Sequence, residues 1–345
     1  MDSSFPIADF RSDTVTRPTP GMMEAMWSAK VGDDVFEDDP TINMLEEKGA
    51  ALFGKEAAIF CASGTMTNQI AIKIHTQPGD EVICDKMAHV YAYEGGGIAF
   101  NSGASVRLID GDRGRLNASQ VEENINPDNI HNPITRLVTL ENTMNRGGGS
   151  YYELNEIKKI KQVTDKHNLT LHLDGARIFN ALAETGESPL EYGKVFDSIS
   201  VCLSKGLGAP VGSLLLGTKA MIKKARRIRK VMGGGWRQAG FVAAAGIYAL
   251  DHHVARLKED HVRAAKIYQV LKELNHIDSL SPQDTNIIIF KLKDEINLPD
   301  FQSYLNNQSI RISPVGKQSI RLVTHLDIND EMTERTISAL KQYTA

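Results

Sequence analysis

The sequence is poor in cysteine and has no long apolar segment. Its 345 residues include three cysteines, Cys61, Cys84 and Cys202. Their odd number and wide spacing argue against a disulfide framework and a zinc site, and the apolar runs around them predict buried free thiols. No run approaches the ~20 apolar residues of a membrane span. Residues 1–10 lack the basic and apolar segments of a signal peptide. These absences favour a cytoplasmic protein.

An excess of charge of one sign is also missing. The formal net charge is −4, and the 39 basic and 43 acidic residues are interspersed. We therefore expect neither nucleic acid nor a membrane as a partner. One short basic cluster, Arg226, Arg227, Arg229 and Lys230, lies in a helical stretch. No aromatic or glycine residues are interleaved with it, so a solvated face or an intersubunit surface is a better interpretation than RNA binding.

Short apolar runs alternate with amphipathic helical patterns between residues 55 and 220. The runs are rich in Ile, Val and Leu and are flanked by Gly, Asp or Pro, which is typical of strands buried on both faces of a mostly parallel sheet. The seven candidate strands are residues 57–61, 81–85, 105–109, 136–141, 170–174, 198–203 and 213–216. Helical patterns such as 67–75 and 154–167 lie between them. This alternation predicts a doubly wound α/β domain.

The remaining residues predict a second, smaller domain. A long helical stretch at 220–274 leads away from the sheet. It is followed by a strand (286–292), a helix (298–307), a hairpin (310–313 and 319–324) and a helix (329–343). This order indicates an α+β domain. We place the boundary near residue 255, which gives domains 1–255 and 256–345, although no proline-rich linker marks it.

Lys205 and Asp174 are the strongest candidates for catalytic residues. Each follows an apolar strand and precedes glycine, in Leu-Ser-Lys-Gly-Leu-Gly-Ala-Pro (203–210) and Leu-His-Leu-Asp-Gly-Ala-Arg (171–177). Alone, a lysine is usually solvated and an Asp before Gly usually makes a turn. Together and in this order they favour pyridoxal phosphate. The lysine can bond the aldehyde carbon, and the carboxylate can keep the ring nitrogen protonated so that the ring accepts electrons.

The segment Ala-Ser-Gly-Thr (62–65) follows a candidate strand and opens a candidate helix. Free N–H groups and the positive end of the helix dipole meet at such a point, so Gly64 and Thr65 suit a phosphate site. An ordinary helix N-cap is an equally good interpretation, because Ser and Thr are common there.

Nine segments, in order along the chain, are similar to the L-threonine aldolases. They include Arg-Ser-Asp-Thr-Val-Thr-Arg-Pro in the first and Leu-Ser-Lys-Gly-Leu-Gly-Ala-Pro-Val-Gly-Ser in the seventh. The nine are residues 9–19, 31–41, 62–69, 88–97, 140–143, 173–177, 203–213, 233–240 and 321–327. The chain therefore resembles a low-specificity L-threonine aldolase, a pyridoxal-phosphate-dependent enzyme of fold type I. The resemblance implies an α/β fold of the transferase-like type, with a mostly parallel seven-stranded sheet and a smaller C-terminal α+β domain. It also implies retro-aldol cleavage of L-threonine and L-allo-threonine to glycine and acetaldehyde.

The resemblance assigns roles to residues around the cofactor. It places Gly64, Thr65 and Ser204 at the phosphate. It stacks His89 on the pyridine ring, near the substrate hydroxyl, where a neutral imidazole can also act as a base. Glu94, five residues on, is either a group that positions a water molecule or an exposed carboxylate before Gly95. Arg177 faces the phenolate oxygen of the cofactor, beside the substrate.

Further roles concern the substrate and the assembly. The resemblance gives Arg321 a bidentate contact to the substrate carboxylate, which Ser12 shares. Lys230 and Arg237 correspond to residues that reach the phosphate from a neighbouring subunit. We therefore expect a homo-oligomer, with a tetramer formed as a dimer of dimers, and we expect no metal site.

Two positions depart from the family pattern. Met144 stands where the family usually has histidine, and Phe36 and Glu37 stand where it usually has tyrosine and glycine. In the family, the residues that correspond to Phe36 and Met144 lie near the substrate's β-substituent. We therefore expect both side chains to contact the substrate. A thioether and a phenyl ring cannot exchange protons. Met144 is therefore not the base, and His89 or a water molecule must serve.

Two other functions stay open at this point. Another fold-type I enzyme, such as a β-eliminating lyase or an amino-acid racemase, would share the fold. The Arg-Ser-Asp-Thr-Val-Thr arm and the Gly-Asp-Asp segment (32–34) favour the aldolase. A non-catalytic regulator of the same fold normally carries a fused DNA-binding module, for which we expect no room before residue 9, and the intact Lys205 and Asp174 also oppose it.

Overall fold

The structure is a computed structural model that describes residues 6–344. Its strands are β1 (Ala8–Asp9), β2 (Ala57–Cys61), β3 (Asp80–Asp85), β4 (Ser105–Ile109), β5 (Ile134–Glu141), β6 (Thr170–Gly175), β7 (Ser198–Cys202), β8 (Ser213–Gly217), β9 (Ile277–Leu280), β10 (Ile287–Leu292), β11 (Ile310–Arg311), β12 (Ser313–Gly316) and β13 (Ser319–Val323). Its α-helices are α1 (Pro20–Trp27), α2 (Pro40–Leu52), α3 (Gly64–His75), α4 (His89–Ala92), α5 (Ala118–Glu123), α6 (Leu154–Lys166), α7 (Ile178–Thr185), α8 (Pro189–Val195), α9 (Lys219–Val231), α10 (Gly240–His252), α11 (Leu257–Leu271), α12 (Leu298–Asn307) and α13 (Asp330–Gln342).

The larger sheet confirms the predicted α/β fold. It has seven strands in the order β2-β8-β7-β6-β5-β3-β4, and they are the seven candidates of the sequence. Neighbours from β7 to β4 pair in parallel, whereas β8 runs antiparallel to β7 and to β2. The strands β3, β7 and β8 are buried along their whole length, as expected for strands covered on both faces of the sheet.

This topology brings five segments to one edge of the sheet. The strands β2, β3, β5, β6 and β7 share one direction, so their carboxyl ends lie side by side. Gly64 follows β2, His89 follows β3, and Lys205 follows β7. Glu141 ends β5 and pairs in register with Asp174 on β6. Ligands of open α/β sheets bind at this edge.

The second sheet is antiparallel, in the order β12-β13-β10-β9. The predicted hairpin exists, but its first strand is Ser313–Gly316 instead of 310–313. Ile310 and Arg311 pair in parallel with Ala8 and Asp9 of β1. The N-terminal strand thus joins the C-terminal part of the chain, a long-range pairing that local sequence patterns do not reveal.

The predicted helical stretch at 220–274 was wrong as a single element. It is three helices, α9, α10 and α11, separated by residues 232–239 and 253–256. Gly233 has a φ of +83°, a backbone conformation that favours glycine and ends α9. The basic cluster on α9 is also not wholly solvated. Arg229 is buried, where Nη2 pairs with Asp34 at 2.5 Å and Nη1 donates to the Phe60 carbonyl at 2.6 Å.

Two apolar cores accompany the two sheets. The first surrounds the seven-stranded sheet and includes Leu257 at the start of α11. The second lies under the small sheet and includes Ala264 of the same helix, together with Ala8 and Phe10 of the N-terminal arm. The proposed boundary near residue 255 stays a prediction. The three cysteines are buried and free, as predicted. Among residues 6–344, none of the helices combines the length and the apolar character needed to cross a membrane.

Candidate active site

A buried amide joins two carboxylates at the shared edge of the sheet. Asn68 lies on α3, and its Nδ2 donates to Asp174 Oδ2 and to Glu94 Oε1, both at 2.9 Å. Gln69 donates to the other Glu94 oxygen at 2.6 Å. Asp174 Oδ1 accepts from the backbone N–H of Ala176 at 3.1 Å. Glu94 is buried and bound on both oxygens, so the interpretation as an exposed carboxylate was wrong.

His89 sits beside this pair at the start of α4. Its Nδ1 lies 3.0 Å from Glu94 Oε1. Burial lowers the pKa of His89, but the Glu94 hydrogen bond and the negative charges of Asp174 and Glu141 outweigh it, so the pKa is raised overall. Because the ionised Glu94 is only an acceptor, the proton between them belongs to Nδ1. A neutral His89 therefore carries its free lone pair on Nε2.

Glu141 connects two loops of the site. Its Oε2 accepts from the backbone N–H of His89 at 2.7 Å, and its Oε1 accepts from the backbone N–H of Asn145 at 2.9 Å. Burial, and then the charge of Asp174, raise the pKa of Glu141 to about 7. The side chain of Asn145 in turn accepts from Arg321 Nη1 at 2.6 Å. The Glu141 carboxylate thus fixes the backbone of both His89 and Asn145, the residue that accepts a hydrogen bond from Arg321.

The N-terminal arm enters the site through a buried ion pair. Arg177 Nε and Nη2 donate to the two oxygens of Asp13, each at 2.7 Å. Burial raises the pKa of Asp13, but the charges of Arg177 and Lys205 outweigh it and lower the pKa to about 2. Thr16, three residues after Asp13, donates to the Lys205 carbonyl at 3.2 Å. The arm therefore lies against both Arg177 and the Lys205 turn.

Arg321 is a largely buried cation without a carboxylate partner among the described residues. Its Nη1 and Nη2 donate to Asn145 and to the Arg11 carbonyl, and its Nε is buried without a hydrogen-bond partner. Burial and the positive charge of Arg177 lower its pKa to about 10. An unpaired buried guanidinium is costly, so this position favours an anion. Ser12, half-buried one residue after Arg11, caps the turn Asp13–Val15.

The start of α3 forms a cradle for an anion. Ser63 Oγ accepts from the N–H of Met66, so within the described residues the N–H groups of Gly64 and Thr65 remain for another acceptor. A Cβ at Gly64 would lie 2.6 Å from Cys202 Sγ, hence no larger residue fits. The buried Ser213 Oγ, also close to Gly64, has no hydrogen-bond partner. Ser204 lies half-buried next to Lys205.

The structure does not bring every predicted residue to this edge. Met144 is fully buried and its thioether packs against Gly114, so its predicted contact with the substrate was wrong. Gly114 has no Cβ, and the long methionine fills that space. Phe36 is 72% exposed in the single chain. Lys230 is exposed, and Arg237 Nη1 pairs with Asp33 at 2.8 Å on the surface.

Sequence reasoning missed Asp13, Asn68 and Glu141. All three lie inside segments that resemble the family, at 9–19, 62–69 and 140–143, but no chemistry was attached to them. One signal was available for Asn68. It stands four residues after Gly64 on α3, so both face the same side of the helix.

Comparison with known proteins decides the family. A family model described as beta-eliminating lyase matches residues 9–295. The chain belongs to the beta-eliminating lyase family. It is 45% identical over 326 residues to the low specificity L-threonine aldolase of Escherichia coli (strain K12), covering 94% of this chain and 95% of that protein. It is 38% identical over 341 residues to the probable low-specificity L-threonine aldolase 2 of Arabidopsis thaliana, covering 97% and 96%.

Solved structures agree on the fold of this beta-eliminating lyase. The threonine aldolase of Leishmania major superposes with a TM-score of 0.84 over 97% of this chain and 99% of that one, at 22% identity. The predicted resemblance to the L-threonine aldolases is confirmed, and so is the assignment as a lyase.

Pyridoxal phosphate is the cofactor of this family, and the residues of the site fit it. The unpartnered Ser213 hydroxyl and the first N–H groups of α3 suit its phosphate. Asp174 and Lys205 lie at the same edge for its ring nitrogen and its aldehyde. His89, Glu94 and Asp174 also each offer a metal-ligating atom within 4.8 Å of the others. The hydrogen bonds of Asn68 and His89 account for this grouping without a metal ion.

Proposed function

We propose that this beta-eliminating lyase cleaves L-threonine and L-allo-threonine to glycine and acetaldehyde. One observation carries the proposal. Beside the sheet edge that bears Lys205 and Asp174, Arg321 is a half-buried cation whose Nε is buried without a hydrogen-bond partner and which lacks a carboxylate partner among the described residues. The carboxylate of an amino acid supplies that partner. When bound, pyridoxal phosphate withdraws electrons from the Cα of the attached amino acid, so that a bond at Cα can break.

The residues of the site divide the work of the reaction. Lys205 supplies the amine that holds the cofactor and that the substrate amine replaces. Asp174 keeps a proton on the ring nitrogen. Gly64, Thr65 and Ser204 bind the phosphate, and Arg177, already paired with Asp13, faces the phenolate oxygen with its remaining N–H groups.

Arg321 and Ser12 hold the substrate carboxylate and thereby select the bond to be broken. A fixed carboxylate sets the rotation about the bond from nitrogen to Cα, and with it the bond that lies perpendicular to the cofactor ring. We propose that this bond is Cα–Cβ. His89 Nε2 then accepts the proton of the β-hydroxyl as the carbonyl of acetaldehyde forms. A proton returned to Cα completes glycine.

We also propose that the enzyme is a homo-oligomer, in which Lys230 and Arg237 reach the phosphate of a neighbouring subunit. Lys230 is exposed, and Arg237 pairs with Asp33 on the surface, so both side chains are accessible to a second subunit. Large apolar side chains are exposed in the single chain, including Trp27 (86%) and Phe100 (90%), which is typical of surfaces covered by another subunit. The tetramer, the cytoplasmic location and the division into domains 1–255 and 256–345 stay predictions.

A product assay tests the proposed function. Purified enzyme with added cofactor is given L-threonine and L-allo-threonine in parallel, and acetaldehyde, ammonia and inverted amino acid are measured. We expect acetaldehyde and glycine in equal amounts, no product from Lys205→Ala, and unchanged activity in Lys223→Ala, which removes an exposed lysine of α9. Ammonia without acetaldehyde would indicate β-elimination, and inverted amino acid alone would indicate a racemase.

A further inference from the structure

The orientation of the Asn68 amide is fixed by its neighbours. Asn68 is 1% exposed, and one end of its amide faces the carboxylates of Asp174 and Glu94, both also buried. A carbonyl oxygen at that end would meet two acceptors, so the end must be the NH2 group. The Oδ1 atom therefore points the other way, where it lies 3.1 Å from His172 Nε2.

This orientation determines the tautomer of His172. Oδ1 carries no proton, so the hydrogen of this bond belongs to His172 Nε2. Burial lowers the pKa of His172 to about 3, so the ring is neutral and its Nδ1 carries a lone pair. Ser198 Oγ lies 2.8 Å from Nδ1 and must donate to it. His75 Nε2, 3.0 Å from the same hydroxyl, then donates to Ser198. Burial likewise keeps His75 neutral by lowering its pKa to about 4.

We infer that Asn68 and His172 are positioning residues for the reaction. They form a one-way chain of hydrogen bonds, from His75 through Ser198, His172 and Asn68, that ends on the carboxylates of Asp174 and Glu94. Every member donates towards the carboxylates, and each donor in such a series polarises the next. The chain therefore fixes the orientation of both buried carboxylates. It touches neither the cofactor nor the substrate.

The hydrogen-bond chain affects the roles proposed above for Asp174 and His89, and this inference rests on that proposed function. Asp174 oriented by Asn68 presents its charge to the ring nitrogen of the cofactor. Glu94 oriented by the same amide keeps His89 with its lone pair on Nε2. Loss of the His172 donor leaves Asn68 Oδ1 without its partner and removes the polarisation of the Nδ2–H bonds to the two carboxylates.

The first test measures the tautomer directly in the wild-type holoenzyme. We label histidine with 15N and assign the His172 ring signals by their absence in His172→Gln. The expected result is an Nε2–H tautomer that does not titrate between about pH 5.5 and 8.5, since a ring held neutral by burial has a pKa well below this range. An Nδ1–H tautomer, or titration in this range, would overturn the inference. This measurement needs no active variant.

The second test separates the hydrogen bond from packing. His172→Phe keeps a ring but removes the donor, whereas the amide of glutamine in His172→Gln can restore a donor near the Nε2 position. We expect His172→Phe to lower kcat roughly tenfold or more, the effect of a lost hydrogen bond to a charged network, with a change in KM below about threefold. Binding of cofactor to the apoenzyme, followed by fluorescence quenching, should weaken in parallel. His172→Gln should recover most of both.

The matched control is Ser200→Ala. Ser200 is equally buried, and its hydroxyl bonds Thr67 Oγ1 at 2.6 Å, outside the chain that ends on the carboxylates. We expect kcat and cofactor affinity close to wild type. Equal losses in His172→Phe, His172→Gln and Ser200→Ala would show that the site responds to any buried change, and would overturn the inference. If the wild type releases no acetaldehyde, the proposed function fails, while the tautomer and the cofactor affinities still decide this inference.

Discussion

The exchange of Asp13 for asparagine should destabilise the protein and loosen its hold on the cofactor. Asp13 is fully buried and its only cationic hydrogen-bond partner among the described residues is Arg177, whose side chain is 4% exposed. Asparagine keeps the size of the side chain but removes the negative charge. One of the two oxygen acceptors also becomes an NH2 group, which faces a guanidinium N–H. Arg177 is left as a buried cation beside Arg321.

Two routes give the size of the effect. Breaking one partner of a buried ion pair costs about 3–5 kcal/mol. The pKa of Asp13 falls from 3.8 to about 2, and at ~1.4 kcal/mol per unit this corresponds to roughly 2 kcal/mol. The second figure is smaller because it omits the unpaired Arg177. Since the folded pKa is lowered, this stabilisation is present above about pH 4 and is lost as the pH falls towards 2. We expect the loss in Asp13→Asn at pH 7 to lie between about 2 and 5 kcal/mol.

The assay is urea unfolding of the apoenzyme at pH 7, together with the cofactor dissociation constant. The matched control is Asp260→Asn, which breaks another buried pair, Asp260 with Arg256 at 2.6 Å on α11. The control should lose stability but keep its cofactor affinity, because the ion-pair partners of Asp260, Arg256 and Arg263, have no role assigned in the site. The reasoning is refuted if Asp13→Asn stays within about 0.5 kcal/mol of wild type, the range of ordinary surface substitutions, or if both variants bind the cofactor alike.

Three further predictions concern the site. Asp174→Asn should keep bound cofactor but lower kcat by roughly tenfold or more, because a charge-assisted hydrogen bond becomes a neutral one. If this variant turns over substrate at the wild-type rate, Asp174 is only a turn residue. Met144→His should lower the unfolding free energy by about 1–3 kcal/mol, since it buries an imidazole, and should leave the allo/threo ratio of kcat/KM unchanged; a shifted ratio would place position 144 at the substrate. The pKa of Glu141 is raised to about 7, so its contribution to stability is present below about pH 4.5 and is lost as the pH rises through 7. Urea unfolding from pH 4.5 to 8 should therefore show an unfolding free energy that falls with pH. In Glu141→Gln this fall should be absent.

Local sequence patterns were enough to predict the seven strands of the larger sheet. Strand β2 matches the predicted residues, because it is a continuous apolar run. Lys205 and Asp174 could be placed at one edge because parallel strands end together. The long helical stretch failed for a physical reason. Residues 233–235 are three consecutive glycines, a signal for a helix end that the prediction did not use, and Gly233 has a positive φ where α9 ends.

The partners of the site could not be predicted in the same way. Asp13 and Arg177 are 164 positions apart, and Asn68 and Asp174 are 106 apart. Their contacts depend on tertiary packing, which leaves no period in the sequence. Met144 shows a different limit of prediction from sequence. The substitution was visible, but its burial against Gly114 depends on a turn that the position alone does not indicate.

The pairing of β1 with β11 has a consequence for biosynthesis. The arm that carries Asp13 leaves the ribosome long before the segments that contain Arg321 and His325. Arg321 donates to the Arg11 carbonyl across 310 positions, and His325 contacts the Asp9 carbonyl across 316. Such non-local contacts form late because loop closure precedes them. Residues 310–325 must therefore be synthesised before β1 can pair with β11, and a nascent chain that already has its seven-stranded sheet still lacks the contact between Arg321 and the arm.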